Sequence, residues 1–511
     1  MHTHPDRKIF ERTYADGRAQ VVWSRLVADL ETPVSAMLKL ADGRPYSFLL
    51  ESVEGGAIRG RYSIIGLAPD VIWRCRGNSA EINRSAVTDK ETFVPCPIAA
   101  AEGAMKSLRA LLAESRIDLP ADLPPMAAGL VGYMAYDMVR LVEKLPDENP
   151  DVIGAPDSIF MRPTVMAIFD SLHDSVTVVT PVWPSKDVSP ADAHTAAEAR
   201  IAAVIADLER PLALGRAQQN AVRVSEEDVT SNMTREYFHE MVRRAKDYIL
   251  AGDAFQIVPS QRFRMPFQLP PFSFYRSLRR LNPSPFLFYF DFDGFQVVGS
   301  SPEILVRVRE GKITLRPLAG TRRRGETPAE DAALAEDLLN DPKERAEHLM
   351  LLDLGRNDVG RVAKVGTVHP TEQFTIEYYS HVMHIASNVE GELDREHFDE
   401  IDALMGGFPA GTVSGAPKVR AMEIIDELEP ERRGVYSGCI GYFGADGDMD
   451  TCIALRTAVI KDGIIFIQAG AGVVADSEPE AEYQETVNKA KALVRAVEEA
   501  ARFAGANDPT V

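Results

Sequence analysis

The chain has 511 residues, with 56 Lys and Arg against 76 Asp and Glu and a formal net charge of −20. That length is enough for two domains with large cores, and the acidic balance, without any Lys/Arg run interleaved with aromatics, argues against nucleic acid or an anionic membrane as partner. The start, MHTHPDRKIFERTYADG, lacks a signal-peptide stretch and no run of about 18 apolar residues follows, so a cytoplasmic protein is expected.

Residues 1–20 are read as a tail. Residues 21–183 alternate β-rich runs (RPYSFLLES, RYSIIGLAP, DVIWRCRG, SVTVVTPV) with helical ones (AAAEGAMKSLRALLAE, YMAYDMVRLVEKL), an α+β pattern. Residues 184–232, rich in Ala, Asp, Glu and Gln, are expected to form a connection with one surface helix and a loop. Residues 233–503 carry hairpin signals at Asp293-Gly294, Glu310-Gly311 and Asp462-Gly463, which predict large antiparallel, sandwich-like sheets flanked by helices. Residues 504–511 are a polar tail. The four cysteines, Cys75, Cys96, Cys439 and Cys452, form no C-x-x-C pair and fit buried thiols in a reducing compartment. Cys439, in YSGCIGYF, superficially matches the nucleophile turn of glutamine amidotransferases, but Ser437 replaces the first glycine and no suitable histidine follows.

The chemistry-bearing features lie in the second half. Glu344/Glu347 in KERAEHLMLLDLGRND and Glu482/Glu485 in PEAEYQETVNKA both read E-x-x-E, so each helix aims two carboxylates from one face. Two such helices facing each other could hold Mg²⁺, which takes oxygen ligands. Alone, either pair also fits a solvated helix face. GSSPEILVR sets Glu303 at the start of a strand among apolar neighbours that would raise its pKa towards that of a general acid. FPAGTVSGAPK places Thr412 and Lys418 at a helix start, which suits either an anion site or an ordinary capped helix. His381 and His384 fall three apart on a β-rich run, hence on opposite faces, and cannot share a metal; His384 is either a base or a hydrogen-bonded structural residue. Arg456 is the one charge in its β-rich run and needs an anionic partner if buried. In FIQAGAGVVAD, Gly470 and Gly472 imitate a dinucleotide fingerprint, but Asp476-Ser477-Glu478-Pro479 intervenes before a helix can start. The glycines fit either backbone N–H groups offered to a carboxylate or a tight strand end.

Taken together, SQRF (Ser260–Phe263), NPSPFLFYF (Asn282–Phe290), GSSPEILVR, RPLAGTRRRG (Arg316–Gly325), ERAEHLMLLDLGRNDVGRV (Glu344–Val362), FPAGTVSGAPKVRAMEIIDELEP, DMDTCIALRT and QAGAGVVADS resemble the chorismate-utilising enzymes, and among them the large components of the anthranilate synthases. The resemblance runs from about Arg235 to Leu493 and implies that family's fold. It implies that ammonia adds at C2 of chorismate as the C4 hydroxyl leaves, and that pyruvate is then eliminated to give anthranilate. Glu303 matches the general acid and His384 the histidine linked to pyruvate loss. Glu347 and Glu485 match the principal Mg²⁺ ligands, with Glu344 and Glu482 alongside. Thr412, Tyr436, Arg456, the Gly470-Ala471-Gly472 backbone and Lys489 match the pocket that grips the substrate.

Two positions separate relatives. Those that add water, the isochorismate and salicylate synthases, carry a lysine where this chain has Gln256. The aminodeoxychorismate synthases carry P-I-K-G-T, where this chain reads Pro317-Leu318-Ala319-Gly320-Thr321, with no amine. Ammonia needs no base to become nucleophilic, so both differences favour anthranilate. With no glutaminase module here, the resemblance implies a separate glutamine amidotransferase subunit. It also implies a tryptophan feedback site at Glu51, Ser52 and Pro285, Phe286 and Leu287; Phe286 and Leu287 depart from the usual NPSPYMFY.

Overall fold

The computed structural model describes residues 2–54, 58–212, 226–379 and 382–504. His381, residues 213–225 of the expected connection and the tail from 505 onward lie outside them. Among the described residues, 21 strands join in one network of antiparallel pairings, while Gln256–Ile257 and Gly415–Ala416 pair separately.

The three two-residue turns form as expected. Asp293 and Gly294 (φ 60° and 92°), Glu310 and Gly311 (51° and 78°) and Asp462 and Gly463 (51° and 74°) each hold two consecutive left-handed residues, the combination that matches the twist of a tight hairpin. Strand alternation sorts side chains between layers. In Ser47–Glu54, Phe48 enters an inter-sheet core with Ile64, Phe288 and Phe290. Its neighbour Leu49 turns outward, with Ile65, Leu287 and Tyr289, to meet helices Pro33–Ala41, Pro190–Glu209, Pro271–Leu281 and Pro479–Glu499. The sandwich flanked by helices is therefore present, and the two halves of the chain build it jointly: Ser47–Glu54 pairs with Phe286–Asp291, and Gly129–Met134 with Cys439–Gly444.

Several local expectations are corrected. Helix Pro190–Glu209 does not float on the surface: Ala193, Ala197, Ile201, Val204 and Leu208, spaced four, four, three and four apart, are buried against the sheet. Small alanines lowered the apparent hydrophobicity of a stripe whose period was nonetheless helical. RYSIIGLAP and DVIWRCRG form one strand, Ile58–Arg76, bent where the register shifts between Pro69 and Val71. AAAEGAMKSLRALLAE breaks at Gly103 (φ 90°) into helices Pro97–Glu102 and Ala104–Glu114. YMAYDMVRLVEKL supplies a strand end and a short 3₁₀ turn, Tyr136–Leu141, not an α-helix. All four cysteines are buried and unpaired. Among the described residues no helix is long and apolar enough to cross a membrane.

Candidate active site

One cavity of about 420 Å³ gathers nearly every residue singled out in the second half of the chain. One of its walls is helix Pro342–Gly360, started by Pro342 and capped by Asp341, whose side chain accepts from the N–H groups of Lys343 and Glu344. A second is helix Pro479–Glu499, also opened by proline. Their E-x-x-E faces bring Glu344, Glu347, Glu482 and Glu485 to the same cavity.

Each carboxylate already has a neighbour. Gln256 Nε2 donates to Glu347 at 3.1 Å, Arg322 to Glu344 at 3.0 Å, and Lys489 pairs with Glu485 at 2.7 Å. Burial first, then Glu344, raises the pKa of Glu347; burial, with repulsion from Glu485, raises that of Glu482. A divalent cation would relieve this repulsion, and the all-oxygen donors suit Mg²⁺. No three of these carboxylates bring oxygens within 4.8 Å of one another; among the described residues only the largely exposed Asp394, Glu396 and His397 do so.

Facing the glutamates is Glu303, immediately before strand Ile304–Arg309. Its carboxyl touches the cavity yet is surrounded by protein, and burial raises its pKa against the opposing pull of Thr412, Lys489 and Arg456. Thr412 Oγ1 donates to Glu303 Oε2 at 2.9 Å. Arg456 stands between strands Met449–Ile453 and Thr457–Lys461 with φ 47°. The one hydrogen bond of its guanidinium among the described residues goes to Asn282 Oδ1 at 3.3 Å, and no carboxylate oxygen of those residues comes within 4.0 Å. A cation so placed, with no carboxylate in direct contact, suits an anionic ligand. His384, on strand Val382–Glu392, sets Nδ1 2.8 Å from the Gly320 carbonyl and 3.2 Å from Thr321 Oγ1. A carbonyl only accepts, so Nδ1 carries the proton and Nε2 is the free base, while burial lowers the pKa and keeps the ring neutral.

Close approach explains the glycines. A Cβ at Gly470 would lie 2.8 Å from Tyr436 Oη, one at Gly472 2.7 Å from Gln256 Nε2, and one at Gly320 (φ 69°) 3.0 Å from Glu344 Oε2. Gly470 O accepts from Lys489 at 2.9 Å. Ala319 and Thr321 line the same wall.

Three of the expected residues have partners of their own within the protein. Ala471 is fully buried, spends its N–H on Pro259 O at 3.1 Å, and does not line the cavity. Lys418 pairs with Asp358 at 2.8 Å in a buried bridge, so it offers no charge to an anion. The Glu51 carboxylate is taken by Arg279 (2.5 and 2.8 Å) and Tyr275 (2.5 Å): alternation sends it to the helix side with Leu49. A second cavity of about 310 Å³ is nevertheless lined by Glu51, Ser52, Pro285, Phe286 and Leu287, which meet there across the Leu287–Glu51 pairing. Gln468, a lone polar residue in FIQAG whose signal was its burial-prone β context, lines the main site without having been assigned, and Asn282 stands outside the lining as the acceptor for Arg456.

Residues 69–495 match the family of chorismate binding enzymes, and the chain belongs to that family. It is 60% identical over 496 residues to anthranilate synthase component 1 of Cereibacter sphaeroides, covering 97% of this chain and 98% of the relative. To the component 1 of Pseudomonas putida it is 48% identical over 474 residues, covering 92% and 94%. Among solved structures, anthranilate synthase component I from Streptococcus pneumoniae TIGR4 aligns with a TM-score of 0.74 at 37% identity, over 85% of this chain and 92% of that one. The menaquinone-specific isochorismate synthase MenF from Escherichia coli shares the fold, with a TM-score of 0.70 at 18% identity over 96% and 98%.

Proposed function

We propose that this chain converts chorismate and ammonia to anthranilate and pyruvate in the cytoplasm, as the first step of tryptophan synthesis. The observation that carries the reading is a largely desolvated acid, Glu303, hydrogen-bonded by Thr412 and sharing the glutamate-lined cavity with Arg456, whose guanidinium has no carboxylate in direct contact. Arg456 binds a substrate carboxylate. Glu303 protonates the C4 hydroxyl as it leaves, while ammonia forms the new bond at C2. His384 Nε2 takes the C2 proton as pyruvate is eliminated. A Mg²⁺ ion held by Glu347 and Glu485, with Glu344 and Glu482 alongside, would neutralise the ring carboxylate that these glutamates otherwise repel. Gln256, a neutral amide tied to Glu347, cannot deprotonate water, and Ala319 cannot attack as an amine. Purified protein with chorismate, Mg²⁺ and ammonium is expected to give anthranilate fluorescence; isochorismate, salicylate or an aminodeoxychorismate by chromatography would overturn the reading.

Glu485→Gln is expected to weaken Mg²⁺ by roughly 10- to 100-fold or more, read by direct calorimetric titration as well as by the Mg²⁺ dependence of turnover. Unchanged affinity would remove the ligand assignment. Ammonia is supplied from glutamine by a separate amidotransferase subunit, so the chain alone turns over with ammonium and not with glutamine; equal rates would refute this. The second cavity binds tryptophan as a feedback inhibitor, with Ser52 and the Pro285–Leu287 segment as its walls. Absence of calorimetric heat with tryptophan would count against it.

A further inference from the structure

Arg433 and Glu429 line no part of the active cavity, yet all five guanidinium N–H groups of Arg433 are spent at its floor. Nε and Nη2 donate to Glu429 at 3.0 and 2.6 Å, Nη2 to Val258 O at 2.6 Å, and Nη1 to Val413 O at 2.7 Å and Ser437 Oγ at 3.3 Å. The two side chains are 1% and 4% exposed. Each arm ends on a segment that carries a cavity residue one or two positions away: Val258 follows Gln256, Val413 follows Thr412, and Ser437 follows Tyr436. The guanidinium also stands 5.6 Å from the centre of the Tyr436 ring. Glu429 extends the grip, accepting from Ser260 N and Oγ at 2.8 Å each, and Ser260 Oγ accepts in turn from Gln468 of the cavity wall at 2.8 Å.

We propose that Arg433 and Glu429 form a clamp that positions Thr412, Gln256 and Tyr436 for the reaction. The inference rests on the functional reading above. A rigid guanidinium fork satisfies four separate acceptor groups at fixed angles, which an ammonium on a flexible stem cannot do. Thr412, whose hydroxyl donates to Glu303 at 2.9 Å, is joined by one peptide bond to Val413, whose carbonyl the clamp holds at 2.7 Å. Arg456, by contrast, is anchored from Asn282 and lies off the clamp.

The test is Arg433→Lys, assayed with chorismate, Mg²⁺ and ammonium where the variant is folded by circular dichroism. The expected result is a kcat lower by roughly 100-fold, the scale set by ångström misplacement, with the KM for chorismate within about threefold of wild type. The alkaline limb of the pH–rate profile moves upward, because a looser Thr412 no longer favours the ionised form of Glu303. Arg162→Lys, at a partly buried pair with Asp70 outside the cavity lining, serves as the comparison: it loses stability and keeps kcat and the pH profile. Should Arg433→Lys fail to fold, Ser260→Ala and Ser437→Ala each remove one arm and are expected to lower kcat by about tenfold at near wild-type stability. A wild-type kcat and alkaline limb in folded clamp variants would overturn the proposal. No anthranilate from the unmodified protein would instead defeat the functional reading itself.

Discussion

Glu303→Gln is expected to lower kcat by roughly 10²- to 10⁴-fold, the usual range for loss of a general acid, with the thermal midpoint nearly unchanged. Glutamine keeps the volume of the side chain and can still accept the Thr412 hydrogen bond, so binding and fold survive. What is lost is the proton that the departing C4 hydroxyl needs. The pH dependence supplies a second readout with a definite sign. The acid works protonated, and burial lifts its pKa above the ordinary carboxylate value, so wild-type kcat/KM falls as pH rises through that raised value. In Glu303→Gln this limb is absent from the residual activity. A variant within tenfold of the wild-type rate, still showing the limb, would assign the proton to another group.

The second large effect belongs to Arg456, and here activity and stability move in opposite directions. Truncating one partner of a buried charge pair costs about 2–5 kcal/mol of binding, so Arg456→Gln is expected to lower kcat/KM roughly 30- to 5,000-fold. Without substrate, however, the wild-type guanidinium sits in a largely desolvated wall with one hydrogen bond, to an amide oxygen, and only the more distant Glu303 to offset its charge, in a left-handed backbone conformation. Desolvation lowers its pKa, meaning that the folded protein disfavours this charge. Removing the charge relieves that penalty, and the thermal midpoint of the free variant is expected to equal or exceed that of wild type. Steady-state kinetics and scanning calorimetry on one preparation check both halves. A large drop in midpoint would mean that Arg456 holds the fold together and has no role as an anion receptor.

The three hairpins were legible because a two-residue turn with both residues left-handed favours Gly, Asn or Asp, and each of the three keeps Gly at the second position even where Glu310 takes the first. The glutamate pairs were legible for a similar reason: three-residue spacing fixes a common helix face before any tertiary contact forms. Helix Pro190–Glu209 shows where composition misleads, since alanine lowers mean hydropathy without disturbing the period that buries a stripe. The pairing of Glu51 with Arg279 was not legible for want of strand register. A motif marks the residues beside a cavity, and only alternation along a paired strand says which neighbours each side chain meets there.

The sequence by itself determined the chemical groups, Glu303, His384, Arg456 and the four glutamates, together with the local conformations that short-range sterics and hydrogen bonding enforce. Tertiary structure decided what those groups face. Residues as far apart as Gln256 and Glu485 line one cavity because strands from both halves pair across the molecule and helices Pro342–Gly360 and Pro479–Glu499 pack beside it. The environment then sets the chemistry: burial raises Glu303, lack of a carboxylate leaves Arg456 open to an anion, and the Asp358 bridge takes Lys418 out of play. Desolvation and pairing depend on every neighbour within a few ångströms, and those neighbours come from segments that no local pattern connects.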